Sequence, residues 1–400
     1  MKTFEIKKNI FYCGVKDQKL EVFDIVVPTS YGTTYNSYII KGEDKTVLVD
    51  TSKAEFFDEY LQEVESLTPI KDIDYVVMQH NEPDHSGCIE RIVKLNPDIT
   101  VMASPAGMDF LKEIINQDFK KHILKDREIL DIGGKTLEFI MAPNLHWPDT
   151  IFTWIKEDKV LFTCDCFGAH YCPPGEKILA SELNETESKY YFGEVKYYYD
   201  HIMAPFQKPF VVNALNKIKD FDIDLILTSH GPIVDENIAK VKEVYENSFK
   251  EKDFKKIVIA YVSAYGYTDL LAKTIAEGAL EASNTKVCLF DAEKTDEVEI
   301  AKAMDEADGI LFGSPTILGD ALKPIWTLTS DLIPTIHKGK HAAAFGSYGW
   351  TGEAVPNLTV RLKQLKLKVS DGYRVRFNPS EKQLAEAKEF GKNFALELNN

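Results

Sequence analysis

Apolar positions in this chain come in short unbroken runs, and the residues that close each run differ between the two parts of the sequence. In the first part the runs are Asp74-Tyr75-Val76-Val77-Met78, Leu137-Glu138-Phe139-Ile140-Met141, Val160-Leu161-Phe162-Thr163-Cys164 and Leu225-Ile226-Leu227-Thr228-Ser229. Runs of this length, without a 3.6-residue period, predict buried strands rather than helices. In the second part Lys256-Ile257-Val258-Ile259-Ala260-Tyr261-Val262, Ile310-Leu311-Phe312 and Ala342-Ala343-Ala344-Phe345 predict strands of the same kind. A helix is expected from Leu270 to Leu280. Lys382 to Leu398 predicts a closing amphipathic helix, with Leu384, Ala387, Phe390 and Phe394 near one face.

Each run of the first part ends in metal-competent side chains. His80-Asn81-Glu82-Pro83-Asp84-His85 comes after the first; His146 sits in Leu145-His146-Trp147-Pro148-Asp149 after the second; Asp165 ends the third and His230 the fourth. Residues two apart on an extended segment share a face, so His80 and Glu82 can grip one ion while the turn at Pro83 redirects Asp84 and His85 toward another. The cluster therefore predicts a dinuclear centre, with His146, Asp165 and His230 converging on it. Without an ion, so many buried imidazoles and carboxylates would cost several kcal/mol of desolvation. His122, His201, His337 and His341 lack such a context and are expected to be ordinary hydrogen-bonded residues.

The runs of the second part end in glycine-bearing loops. Ser263-Ala264-Tyr265-Gly266-Tyr267-Thr268 joins a strand to a helix, so backbone N–H groups and the positive helix end face an anion. The loop has no lysine, and neither Gly-x-Gly-x-x-Gly nor a Gly-Lys-Ser/Thr ending appears, which favours a monophosphate over a dinucleotide or a nucleoside triphosphate. Gly313-Ser314-Pro315-Thr316 and Gly346-Ser347-Tyr348-Gly349-Trp350-Thr351-Gly352 close the next two strands. Three such loops at the downstream ends of parallel strands define a crevice in a doubly wound sheet.

Composition narrows the setting. Four hundred residues, 44% of them hydrophobic, suffice for two or three domains with their own cores. A net charge of −16 argues against nucleic acid and anionic membrane surfaces. No run of 18 apolar residues occurs, and Met1-Lys2-Thr3-Phe4-Glu5 does not open a signal peptide, so a cytoplasmic chain is expected. The cysteines at positions 13, 88, 164, 166, 172 and 288 form no Cys-x-x-Cys pair, which excludes a rubredoxin iron site or a zinc ribbon. Strand alternation would turn Cys164 and Cys166 away from Asp165, as buried small hydrophobes. The first domain is expected at 1–250 and the second at 251–400, with Asn247-Ser248-Phe249-Lys250-Glu251-Lys252-Asp253 as the linker.

The first half resembles the metallo-β-lactamase fold, an αββα sandwich that holds two metals between strand-end loops. Its usual His-x-His-x-Asp-His motif stands here with Glu82 in place of the second histidine. A carboxylate hardens the site and favours an oxygen-loving, redox-active ion such as iron over zinc. The second half resembles flavodoxin, a doubly wound parallel α/β sheet, with the first loop holding the phosphate of FMN and the other two bracketing its ring. Tyr265 stands where flavodoxins usually carry threonine, and Tyr348 and Trp350 are placed to cover the ring. The fusion of the two, together with Gly32-Thr33-Thr34-Tyr35-Asn36-Ser37-Tyr38, Leu145-His146-Trp147-Pro148-Asp149 and Ser347-Tyr348-Gly349-Trp350-Thr351-Gly352, resembles the flavodiiron proteins (A-type flavoproteins) over essentially the whole chain.

That resemblance implies His80, Glu82 and His146 on one iron, Asp84, His85 and His230 on the other, and Asp165 bridging. It places His170 and one of Tyr197 or Tyr198, with Tyr197 the chosen candidate, in the pocket as donors to bound oxygen or nitric oxide. The implied cofactors are FMN and two irons, and the implied activity is reduction of dioxygen to water, nitric oxide to nitrous oxide, or both. Electrons would come from an external donor: rubredoxin, another flavoprotein or a reduced deazaflavin. A head-to-tail homodimer or a tetramer would bring the flavin of one chain to the irons of its partner. The rival readings are a zinc-dependent hydrolase that carries a flavodoxin module, and an FMN electron carrier with a structural metal domain.

Overall fold

A computed structural model of the protein describes residues 4–25, 27–247 and 253–398. Two compact units divide it, Met1–Lys250 and Glu251–Asn400. Most of the expected linker, positions 248–252, lies outside the described residues. Among the described residues no helix is long and apolar enough to cross a membrane.

In Met1–Lys250 the described strands form two main sheets. One has seven strands in the order Phe4–Lys7, Ile10–Tyr12, Tyr38–Lys41, Thr46–Val49, Tyr75–Val77, Thr100–Ala103 and Lys120–Ile123; the other has five, Ile129–Asp131, Thr136–Met141, Ile151–Ile155, Val160–Cys164 and Leu225–Thr228. Alternation along each strand feeds two cores. Ile40, Val47, Val49, Val77 and Met102 of the first sheet pack with Leu137, Phe139, Ile151, Phe162 and Leu227 of the second. Their neighbours Ile39, Leu48, Val76 and Val101 face outward onto Tyr60, Ile92 and Leu111 of the covering helices, and Ile140, Phe152, Leu161 and Ile226 pack outward onto Tyr191, Val195 and Val241. Strands buried on both faces must be apolar throughout, which is why they read as runs rather than as alternating patterns. The result is the expected αββα sandwich.

In Glu251–Asn400 a parallel sheet runs Thr285–Asp291, Lys255–Tyr261, Gly309–Gly313, His341–Tyr348, with Lys368–Val369 and Tyr373–Arg376 both pairing the outer side of the last long strand. This strand order is the flavodoxin-like one. Ala342 and Ala344 face one helical layer with Ile325 and Leu358, whereas Ala343 and Phe345 face the other with Leu271 and Phe394. The helices Tyr267–Leu280 and Glu381–Glu397 cross through glycine: a Cβ on Gly278 would lie 1.8 Å from the Lys388 carbonyl oxygen, and one on Gly391 2.0 Å from that of Ile275. Only glycine at both positions permits this backbone approach.

Candidate metal and flavin sites

The strand Tyr75–Val77 delivers His80 and Glu82 in extended chain, and Pro83 then opens a one-turn helix, Pro83–Ser86, that carries Asp84 and His85. The strands Thr136–Met141, Val160–Cys164 and Leu225–Thr228 end just before His146, Asp165 and His230. The side chains gather into two groups whose donor atoms lie within 4.8 Å of one another: His80, Glu82, His146 and Asp165, and Asp84, His85 and His230. In the first, Glu82 Oε2 is 3.1 Å from both His80 Nε2 and His146 Nε2. In the second, Asp84 Oδ2 is 3.1 Å from His230 Nε2 and Asp84 Oδ1 3.4 Å from His85 Nε2. Asp165 joins them: Oδ2 faces His146 Nε2 at 3.3 Å and His80 Nε2 at 3.5 Å, and Oδ1 faces His85 Nε2 at 3.1 Å and His230 Nε2 at 3.5 Å.

These short approaches are not all hydrogen bonds. Both oxygens of Asp84, both of Asp165 and Nε2 of His85 are buried without a hydrogen-bond partner. Donors that crowd together without pairing converge on points between them, as a ligand set does, and orphaned buried carboxylates call for an ion. Four imidazoles and three carboxylates thus fit two divalent metals, and the carboxylate share fits hard, redox-active ions.

Without metal the groups neutralise one another. Burial alone lowers the pKa of His80, but hydrogen bonds to Asp149 and Glu82 and the charge of Asp165 outweigh it and push it up to about 10. His146 is likewise pushed up to about 10, burial being outweighed by the carboxylates of Asp165 and Glu82 beside it, and His85 to about 9, by the charges of Asp84 and Asp165. Burial would raise Glu82 and Asp165, yet the histidines hold both below the usual carboxylate range.

A second layer orients the histidines. Asp149 Oδ1 meets His80 Nδ1 at 3.2 Å and its Oδ2 accepts from Asn81 Nδ2 at 2.7 Å; His230 Nδ1 donates to the Thr34 carbonyl oxygen at 2.7 Å. Such partners fix which ring nitrogen is left to bind. Asp149 and Thr34 lay within motifs the sequence displays, but their roles depend on contacts made across 69 and 196 residues.

His170 is buried, with Nδ1 3.0 Å from Thr33 Oγ1, Nε2 unpartnered, and its ring 5.2 Å from that of His230. Burial, reinforced by His230, holds its pKa well below the usual histidine value, so it is neutral. Tyr198 packs on His170 and His230 at ring separations of 4.8 and 6.1 Å; Tyr197 lies instead over His201 at 4.0 Å, beside Phe23 and Tyr35. The expectation for Cys164 is corrected. Its φ of +51° breaks the strand alternation, and its Sγ lies in a donor group with His85 and Asp165, while Cys166 is buried in the outer core as expected. His122 pairs with Glu128, His201 with the Tyr197 carbonyl, His337 with Asp305 and, at 3.9 Å, His341 with Glu397.

The three glycine-bearing loops of Glu251–Asn400 are tied to one another. Gly266, at φ +82°, precedes the helix Tyr267–Leu280, whose first amides have no intrahelical acceptor. Ser263 Oγ accepts from the Asp269 amide at 3.2 Å, and Thr268 Oγ1 meets Ser347 Oγ at 3.1 Å. The amides of Ser314 and Thr316 donate to the carbonyls of Phe345 and Ser347, both at 3.0 Å, and a Cβ on Gly346 would lie 1.9 Å from the Ser314 carbonyl oxygen. Trp350 is 91% exposed and Tyr265 82%. Large aromatics held at the mouth of an anion cradle, rather than in the core, suit a phosphorylated planar ring.

Comparison with known proteins agrees. A family model for the "ODP family beta lactamase" matches residues 33–231 and one for flavodoxin matches 259–391. The chain is 43% identical to flavo-diiron protein FprA2 of Clostridium acetobutylicum, over 100% of both chains, and 31% identical to the anaerobic nitric oxide reductase flavorubredoxin of Escherichia coli O6:K15:H31, over 98% of this chain and 81% of that one. The structure of rubredoxin oxygen:oxidoreductase from Desulfovibrio gigas superimposes with a TM-score of 0.76 at 25% identity, covering 100% of this chain and 99% of the other.

Proposed function

The chain belongs to the flavodiiron proteins, FMN- and diiron-dependent oxidoreductases, and from that premise we propose that it passes electrons from an external donor to dioxygen, giving water, or to nitric oxide, giving nitrous oxide. The observation that carries this reading is the sharing of Asp165 between two donor groups, one oxygen to each. His80, Glu82 and His146 are assigned to one iron, Asp84, His85 and His230 to the other, and Asp165 to both. When bound, the iron pair supplies Lewis acidity and two electrons, and reduced FMN two more, which together equal the four electrons dioxygen takes on the way to water.

The chain's own residues do the rest. Asp149 and the Thr34 carbonyl hold Nδ1 of His80 and His230, leaving Nε2 to bind. Thr33 Oγ1 holds Nδ1 of neutral His170 at 3.0 Å, which leaves the buried, unpartnered Nε2 of that ring to hydrogen-bond a small oxygen-containing substrate. Phe23 lies 4.2 Å from the His170 ring, Trp147 5.2 Å from His80 and Phe206 6.4 Å from His146, so the wall is aromatic and suited to an uncharged diatomic gas.

Ser263 to Thr268 hold the flavin phosphate, and Ser314 to Thr316 with Ser347 to Gly352 flank the ring. The assembly proposed is a head-to-tail homodimer, or a tetramer built on it, in which the flavin of one chain serves the irons of its partner. Rubredoxin, another flavoprotein or a reduced deazaflavin would supply the electrons. Six free cysteines suit a reducing compartment, hence the cytoplasm. The test is anaerobic turnover with dioxygen and nitric oxide supplied separately to reduced rubredoxin and the iron- and FMN-loaded protein. Consumption of either gas supports the reading; consumption of neither refutes it.

A further inference from the structure

Phenols crowd one side of the donor cluster. Six of the chain's 18 tyrosines stand at positions 171, 190, 191, 197, 198 and 199. Tyr198 is buried against His170 and the ligand His230, at ring separations of 4.8 and 6.1 Å. Tyr191 precedes it by seven residues on the helix Glu185–Tyr198, so the two side chains share a face two turns, roughly 10 Å, apart. From Tyr191 the rings follow closely. Tyr171 lies at 6.0 Å, Tyr31 5.3 Å beyond it, and Tyr190 5.3 Å beyond that, stacked on Tyr31 at 26°. Tyr191 and Tyr171 are buried, Tyr31 is half-buried and Tyr190 is 46% exposed, so the series leads from the cluster to water.

Packing alone does not call for these hydroxyls. Phenylalanine would make the same ring contacts. The Tyr191 hydroxyl is buried without a partner, which costs free energy that phenylalanine avoids. What sets a phenol apart from a phenyl ring is that it gives up one electron when its proton can leave. Burial pushes the pKa of Tyr191 up, because the proton has no acceptor nearby, whereas the hydroxyl of exposed Tyr190 can hand its proton to water. An oxidising equivalent that enters at Tyr198 therefore passes through the buried rings and comes to rest on the outer pair, Tyr31 and Tyr190.

We propose that Tyr191, Tyr171, Tyr31 and Tyr190 are a protective conduit, carrying oxidising equivalents from the metal cluster to the surface when dioxygen meets a centre whose flavin is oxidised. It rests on the flavodiiron reading above. Dioxygen takes four electrons and four protons to become two waters. The irons supply two electrons, two tyrosines supply one electron and one proton each, and water supplies the other two protons. Two neutral tyrosyl radicals remain. Each then takes one electron and one proton from a soluble thiol at the surface, and the two thiols leave as a disulfide. The metal ligands and the flavin are spared.

The probe is dioxygen, mixed with the iron- and FMN-loaded protein after two reducing equivalents per chain have been added, half of what the irons and the flavin hold together. The mixture is freeze-quenched for electron paramagnetic resonance. The expected signal is a neutral tyrosyl radical, told from a flavin semiquinone by the collapse of its hyperfine splitting in protein grown on ring-deuterated tyrosine. Tyr31→Phe combined with Tyr190→Phe should lose that signal while keeping iron, FMN and the rate at which fully reduced protein consumes dioxygen. The same variant should lose activity sooner than wild type over repeated turnovers with limiting donor. Tyr171→Phe, which keeps the ring and removes only the hydroxyl, breaks the series in its middle and should behave alike. Wild-type protein without a tyrosyl signal, or variants with an undiminished one, overturn the proposal and leave the rings to packing. Failure of the underlying reading would appear separately, as fully reduced protein that consumes neither gas.

Discussion

His85 Nε2 stands 3.1 Å from Oδ1 of Asp165. The other oxygen of that carboxylate is 3.3 Å from His146 Nε2, so one side chain is common to both donor groups. Losing it should cost more than one ligand. Asp165→Ala is expected to release most of the iron from both positions, well beyond the about 10–100-fold in metal affinity that removing a ligand's hydrogen-bonding partner costs. Cys166→Ala, one residue away in the outer core, should keep its iron, and both variants should keep FMN. Elemental analysis and flavin absorbance check this together.

Glu82 reaches both His80 and His146 at 3.1 Å, and it is the residue that makes the first group hard. Glu82→His should retain metal but shift its identity toward zinc, because a third imidazole in that group suits zinc better than it suits iron. The measurement is the iron-to-zinc ratio after loading from an equimolar mixture. An unchanged ratio with unchanged gas reduction would rule out this role for the carboxylate.

How much of this was legible in the sequence depended on whether a feature is local. The strand-end positions of His80, His146, Asp165 and His230 could be read because a strand buried on both faces is an apolar run, and the polar residues that stop the run are conspicuous. The glycine-bearing loops at the ends of the parallel strands Lys255–Tyr261, Gly309–Gly313 and His341–Tyr348 were legible for the same reason. Asp149 and Thr34 were not assigned, since each acts on a histidine far away in the chain. Cys164 was misplaced because its φ of +51° interrupts a period that the residue names do not show to be interrupted. Whether Tyr197 or Tyr198 faces His170 was also hidden. Both lie in the last turn of the helix Glu185–Tyr198, whose aromatics at 190, 191, 192, 197 and 198 stand at neighbouring positions on more than one face, so the hydrophobic period does not choose between them.

Stability of the metal-free protein should depend on pH in a way that metal removes. His80 and His146, raised to about 10, and His85, raised to about 9, stabilise the fold fully below their unfolded value of roughly 6.5, and that contribution is lost as pH climbs through their folded values. Glu82 and Asp165, held low, contribute above roughly pH 4 and lose that contribution as pH falls through their depressed values. The Tm of metal-free protein should therefore decline steadily from pH 6.5 toward 10. Metal-loaded protein, whose histidines are already neutral, should decline less. Parallel curves for the two forms would contradict mutual neutralisation within the cluster.

The proposed head-to-tail assembly makes a prediction about mixtures. His146→Ala removes a ligand from the first donor group, and Gly266→Asp places a carboxylate in the phosphate loop at a position with φ +82°. Each should be inactive alone. Hybrid dimers formed by subunit exchange should regain part of the activity, measured as gas consumption after mixing. If exchange is demonstrated by labelled subunits and the mixture stays inactive, the flavin does not serve the partner's irons.

A coupled pair of irons shared through Asp165 is the central claim, and the most direct measurement is metal analysis combined with Mössbauer spectroscopy of protein expressed with adequate iron. The expected result is about two irons per chain, as a dinuclear redox site requires, with spectra of a magnetically coupled pair that are lost in Asp165→Ala. A single uncoupled iron would contradict the shared carboxylate. Zinc alone, with hydrolytic activity and no uptake of dioxygen or nitric oxide, would contradict the whole reading.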